Sequence, residues 1–419
     1  MVVLLEKRIR NEEKMKKRNW LLISISFIIV FIIAIAIFPR IILHLAYSSP
    51  NQTKGQKLIE DMPAKSESLN TNGKYLIAFS ELGNTSSEKS GAIYVIDKNG
   101  HFISQSEKMN MLEPIGMVNN GEKAYVVSNR SAGRYQIDLH SGKIESINTS
   151  TLNISHSFSV YTNKNYVIYD VSKNLDDGQT LVYWKVNNLN QKETFVLPHG
   201  FVHAIYIEKD MAYITTEDPD AVGYIHRCNL RTGKVLSTKK LDLPVEQHNR
   251  SGLPSNRSLI LYNDRLYYGI SGVYDSNKKN GKILVINPKS LNTIKKINIP
   301  DKYFRPDSFD IVDGHLVILD DYNYAYKMDR KGHFKKLKFN ITKKQRDFLS
   351  NNITFTEGIE VKNHIAYIQT TYRVRDEEKD KTRGEINAFD LKTGKQLSRT
   401  IIKRPLSNYL VNTFTVLDY

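Results

Sequence analysis

The sequence predicts an all-β, seven-bladed β-propeller ectodomain preceded by one N-terminal transmembrane helix. Three observations predict it. Nineteen consecutive residues, Trp20 to Phe38, carry no charge. Beyond residue 74, an apolar residue followed by Asp or Asn and a tight turn occurs seven times. A second, independent mark, a small residue in an apolar strand start, also occurs seven times and in step with the first. Self-similarity at a period of 40 to 60 residues is the mark of a repeat architecture.

Composition sets the outer bounds. The chain has 419 residues, 40% hydrophobic and 25% charged, which is globular and not disordered. The single Cys228 excludes an intramolecular disulfide and every multi-Cys metal site. The net charge of +16 favours anionic partners without bearing on fold.

The segment 20–38 reads as a signal-anchor helix. At about 1.5 Å per residue it matches the hydrocarbon thickness of a bilayer. Residues 1–19 form a basic tail with Lys7, Arg8, Arg10, Lys14, Lys16, Lys17 and Arg18 against three Glu. The flank after the run is much less basic, so the positive-inside rule places the tail in the cytoplasm and the rest outside. A cleaved secretory signal is the alternative, with Ala46-Tyr47-Ser48 as a loose small-x-small site, but the apolar run exceeds the usual signal core. Residues 39–73 are polar, with Pro, Gly and Ser, and read as a linker. With +4 in the tail, the exterior carries +12. An exterior without disulfides is compatible with a bacterial cell surface.

Residues 74–419 are the propeller. The turn mark falls at Asp97, Asp138, Asn187, Asn229, Asn287, Asp329 and Asp390, in steps of 41, 49, 42, 58, 42 and 61 residues. An Asp or Asn side chain bonds the backbone two residues on, and a following Gly supplies a positive φ, so each is a hairpin turn. The second mark is Gly116, Ser157, Ala204, Ser258, Ser308, Gly358 and Thr413, in steps of 41, 47, 54, 50, 50 and 55. Each small residue opens an inner strand, where crowding about an axis favours a small side chain. The first unit has three strands without an inner one, and the C-terminus has an inner strand without the other three. Strand 413–416 is therefore expected to close the ring on the sheet that begins at residue 74, which removes the exposed edges of an open array.

The stretch EPIGMVNNGEKAYVVSNRSAGRYQIDLHSGKI (113–144) resembles the YVTN-type repeat of bacterial surface propellers. The turns DLHSGK, NLRTGK and DLKTGK are similar to the D-x-x-T-G-K turn of the PQQ-like repeat. The resemblance implies a fold, not a function. Quinone dehydrogenases of that type carry a recurrent Trp; with Trp20 and Trp184 alone, no cofactor is expected.

Strand alternation puts the long loops 81–90, 170–179, 271–280 and 371–384 on one face, with the crossings 241–256 and 339–354. Long loops on a rigid scaffold are where binding concentrates. The residues that start the inner strands on that face are Ile115, His156, His203, Arg257, Asp307, Glu357 and Asn412. The six polar ones form a candidate ligand-binding ring at the channel mouth. No catalytic or metal set is assigned: no G-x-S-x-G, Walker A or nucleotide fingerprint is present, and the DSNKKNGK loop lacks the Gly and Glu of a calcium loop. The expected function is a membrane-anchored, extracytoplasmic module binding a cell-envelope ligand, an anionic wall polymer, a lipid headgroup or a surface protein, with no nucleic acid. A lactonase-like hydrolase working in the funnel is the alternative.

Overall fold

The computed structural model describes residues 57, 59–81, 90–111, 114–128, 133–147, 160–171, 179–186, 188–198, 201–218, 222–241, 258–270, 281–299, 304, 306–320, 324–329, 331–345, 353–373, 382–406 and 409–417. The expected membrane segment 20–38 and the tail 1–19 lie outside them. Among the described residues no helix is long and apolar enough to cross a membrane.

The strands form sheets in chain order. The first sheet contains β1 (Lys65–Ser66), β2 (Tyr75–Glu81), β3 (Gly91–Ile96) and β4 (Phe102–Ser106). The second contains β5 (Pro114–Asn119), β6 (Lys123–Ser128), β7 (Arg134–Asp138) and β8 (Ile144–Ser146). Next come β9 (Val160–Thr162), β10 (Tyr166–Val171), β11 (Gln179–Lys185) and β12 (Asn188–Leu197), then β13 (Phe201–Glu208), β14 (Met211–Glu217), β15 (Gly223–Asn229) and β16 (Lys234–Lys240). They are followed by β17 (Leu259–Tyr262), β18 (Arg265–Ile270), β19 (Lys282–Ile286) and β20 (Thr293–Asn298), and by β21 (Pro306–Val312), β22 (His315–Asp320), β23 (Tyr324–Met328) and β24 (Phe334–Lys338). The last are β25 (Ile353–Lys362), β26 (Ile365–Arg373), β27 (Thr382–Asp390) and β28 (Gln396–Lys403), with β29 (Tyr409–Val416) at the end.

Six sheets are four-stranded and antiparallel. The remaining sheet is five-stranded, in the order β1-β4-β3-β2-β29. This is an all-β propeller. It departs from a set of uniform four-stranded units: six sheets have that form, and the one built from both chain ends carries β1 as an extra outer strand, parallel to β4.

The inner strands touch in sequence, β5 to β9, β13, β17, β21, β25, β29 and back to β5. Apolar clusters fill the spaces between neighbouring sheets. Leu76, Ala78 and Ile93 meet Met117, Ala124 and Val126 on one side of the first sheet. Tyr75, Ile77 and Phe79 meet Tyr367, Ile386 and Ile402 on the other. The second strands are therefore buried on both faces, which is why they read as continuous apolar runs and not as an alternation.

The turn mark does what its chemistry predicts. The side chains of Asp97, Asp138, Asn229, Asn287, Asp329 and Asp390 each accept the N–H two residues on, at 2.8 to 3.1 Å. Asn187 lies outside the described residues. Five of these turns close on a positive-φ Gly, and the Asn287 turn uses Leu291 at φ 59° instead.

One boundary differs from the sequence expectation. The second half of the linker 39–73 is part of the propeller. Leu69 is buried and donates its N–H to the Gly142 carbonyl at 2.8 Å. The Thr71 hydroxyl donates to the Leu139 carbonyl at 2.7 Å. Polar composition concealed this, because one anchoring Leu, one half-buried Met62 and backbone bonds suffice to dock the segment.

Candidate functional site at the inner-strand bulges

The ring positions named from sequence share a backbone feature that sequence does not display. In β5 the pairing skips Ile115, between Pro114 and Gly116. In β13 it skips His203, in β21 Asp307, and in β25 Glu357. In β29 it skips Asn412, between Val411 and Thr413. Each is a one-residue β-bulge, in which two residues face one on the partner strand and the extra residue leaves the ladder. Five inner strands thus carry the same bulge at the same place, immediately before the small residue.

The small residue has a measurable cause. A Cβ on Gly116 would stand 3.0 Å from Val160 Cγ1 of the next inner strand. One on Gly358 would stand 3.3 Å from the Phe414 ring. At these two positions the neighbouring strand leaves little room beyond a hydrogen atom.

The structure brings the bulged backbones of Ile115, His203, Asp307, Glu357 and Asn412 onto inner strands of one closed circle. His156 and Arg257 lie outside the described residues, and so do the side chains of Ile115, Glu357 and Asn412. Asp307 is half-buried.

His203 has a partner within its own sheet. Its Nε2 lies 3.1 Å from Glu217 Oε2 at the end of β14, with the side chains 19% and 15% exposed. The two are at ion-pair distance without the alignment of a hydrogen bond. Glu217 also acts on the neighbouring sheet. Burial first, and the Glu217 charge further down, push the Tyr268 hydroxyl up to about 12. Glu217 was missed in the sequence. The ITTE ending of β14, where apolar residues give way to polar ones at a strand end, was the available signal.

Beside the Glu357 bulge sits a second group not anticipated. Gln369 pairs with Gly358 across the strands and is fully buried. Neither its amide nitrogen nor its amide oxygen has a hydrogen-bond partner among the described residues. Buried polar groups are ordinarily paired, so this amide is an exception within the packed sheet. Among the described residues no group of three or more His, Cys, Asp or Glu is placed to hold a metal ion.

No family model matches the chain, the YVTN- and PQQ-like repeat types included, and no curated protein matches it. Among solved structures it is similar to virginiamycin B lyase from Staphylococcus aureus, at 14% identity over 70% of this chain and 84% of that one, with a TM-score of 0.44. It is similar to a nidogen/laminin complex at 11% identity, over 81% of this chain and 99% of that one, with a TM-score of 0.39. It is also similar to the β-propeller domain of Cps50 (Swd1) from Myceliophteria thermophila, at 8% identity, 70% and 87% coverage and a TM-score of 0.47.

Proposed function

We propose that the chain is a membrane-anchored, extracytoplasmic binding module, a sevenfold propeller that holds a polar cell-envelope ligand or partner protein at its bulged rim. The sevenfold reading counts the five-stranded sheet as a blade beside the six four-stranded ones. The anchor rests on the uncharged run 20–38 and the basic tail before it.

The observation that carries the binding reading is the bulge repeated at Ile115, His203, Asp307, Glu357 and Asn412. A bulge interrupts a ladder and costs hydrogen bonds. Its recurrence before the small residue in five inner strands is a device for re-aiming side chains at the channel mouth. His and carboxylate residue types at these positions suit a small polar or cationic group.

The full-length chain in neutral detergent, incubated with an extract of its own envelope, tests this. Capture of a partner should fall about tenfold or more when His203, Asp307 and Glu357 are all changed to Ala. Undiminished capture would remove the rim from the function. Turnover of lactone esters that disappears in the same variant would favour the hydrolase instead. An epitope after Tyr419 should be labelled on intact cells and one before Met1 should not; the opposite pattern would overturn the topology.

A further inference from the structure

The outermost strands of consecutive blades differ sharply in charge. The strands β16 (KVLSTKK), β20 (TIKKIN), β24 (FKKLK) and β28 (QLSRTIIK) carry ten Lys and Arg and no Asp or Glu. All ten are exposed. The outer strands β4 and β12 have no net charge, and β8 carries one Glu. The four basic strands belong to neighbouring blades, because β13, β17, β21 and β25 touch in turn. The excess of +10 on them compares with +16 for the whole chain.

Lysine on an edge strand also has a plain purpose, since it discourages edge-to-edge pairing. That purpose applies to every open edge. The edge of β12 is open as well and has no positive excess, whereas β4 is covered by β1 and the turn into β8 is met by Ser68 and Leu69. Edge protection therefore does not explain why the charge is confined to one arc. Arg399 shares its charge with the buried Glu385 at 2.5 Å, and Lys336 lies 3.4 Å above the Tyr324 ring. The remaining lysines still leave a single-sign surface across four blades.

We propose that this arc is a docking belt for a flexible linear phosphate polymer. Charge complementarity selects an anion. Repetition over four blades selects a chain over a single small ion, because each exposed contact is weak and only their sum binds. Outer strands of successive blades face away from one another around a ring. A flexible polymer follows that curve, while a flat bilayer meets one or two blades. The belt is separate from the bulged rim, so either surface can fail in experiment without the other.

The test uses the full-length chain in neutral detergent and long-chain inorganic polyphosphate. Binding is expected, and most of it is lost between about 0.1 and about 1 M salt, as the screening length drops from ~10 to ~3 Å. The triple change Lys239→Glu, Lys295→Glu and Lys335→Glu, one per blade, should weaken binding about tenfold or more. The control Lys123→Glu, Lys164→Glu and Lys209→Glu alters net charge equally, away from the belt, and should stay within about twofold. Equal loss in both variants would reduce the effect to net charge and overturn the belt. So would absence of polyphosphate binding. Binding to phosphatidylglycerol vesicles without polyphosphate would reassign the arc to a membrane surface, with Leu236, Ile294 and Leu397 as inserting groups.

Discussion

At the scale of the residue, the buried titratable side chains decide how the fold responds to alkali. Burial pushes the Cys228 thiol from its ordinary 9.0 up to about 12. Burial, and then the Asp210 carboxylate to which its hydroxyl donates at 2.9 Å, push Tyr166 from 10.0 up to about 12. A raised acid pKa means that the folded chain keeps a proton the unfolded chain has shed. The associated stability is complete below pH 9 and is lost as pH rises toward 12. Urea midpoints should therefore hold steady to about pH 9 and decline above it, and Cys228→Ala should flatten the early part of that decline. A midpoint that rises through this window would contradict the assignment. A thiol reagent at pH 8 should modify Cys228 only in denaturant, since the reactive thiolate is suppressed and the sulfur is covered.

At the scale of the element, the hairpin turns differ in what surrounds them although they share a mechanism. Gly142 and Gly332 both take positive φ, 73° and 82°. Around Gly332 nothing lies within 4 Å of an added Cβ, while at Gly142 it would sit 1.7 Å from the Leu69 carbonyl oxygen. Gly332→Ala should then cost about 1 kcal/mol, the strain of a positive φ alone. Gly142→Ala should cost more, because it also displaces the segment that docks Leu69 and Thr71. Urea titration of the two variants measures the difference, and equal losses would mean that the 59–73 segment contributes nothing to stability.

At the scale of the whole molecule, the ring is shut by a polar seam. The N–H of Val416 and the Thr415 hydroxyl both donate to Glu360 Oε2, each at 2.9 Å. Lys362 donates to the Val416 carbonyl at 2.5 Å, and Asn119 donates to Thr415 and to the same carbonyl at 2.6 and 3.0 Å. The C-terminal strand is thus held by β2 along its length and by β25 and β5 at its end. Glu360 is buried, so Glu360→Ala leaves a buried N–H and a hydroxyl without their acceptor and should cost about 2 to 4 kcal/mol. Glu360→Gln keeps an acceptor and should cost less. If both variants unfold at the wild-type urea concentration, the seam does not stabilise the closure.

What the sequence determined by itself is local. Turn positions follow from an Asp or Asn whose side chain reaches the backbone two residues away. Inner strands follow from a small residue among apolar ones, and buried second strands from runs such as AYVV and AYIT. These signals lie within a few residues of the structure they specify. The tertiary structure decided what depends on chain segments far apart in sequence. It set the bulges that lift His203 and Asp307 from the ladder, and the pairing of His203 with Glu217. It docked the linker through Leu69, and it drew Gln345 from a crossing into hydrogen bonds with Glu385 and Asn387 at 2.5 and 3.0 Å. A register shift or a docked polar segment is fixed by what packs against it, and neither residue type nor spacing records that neighbour.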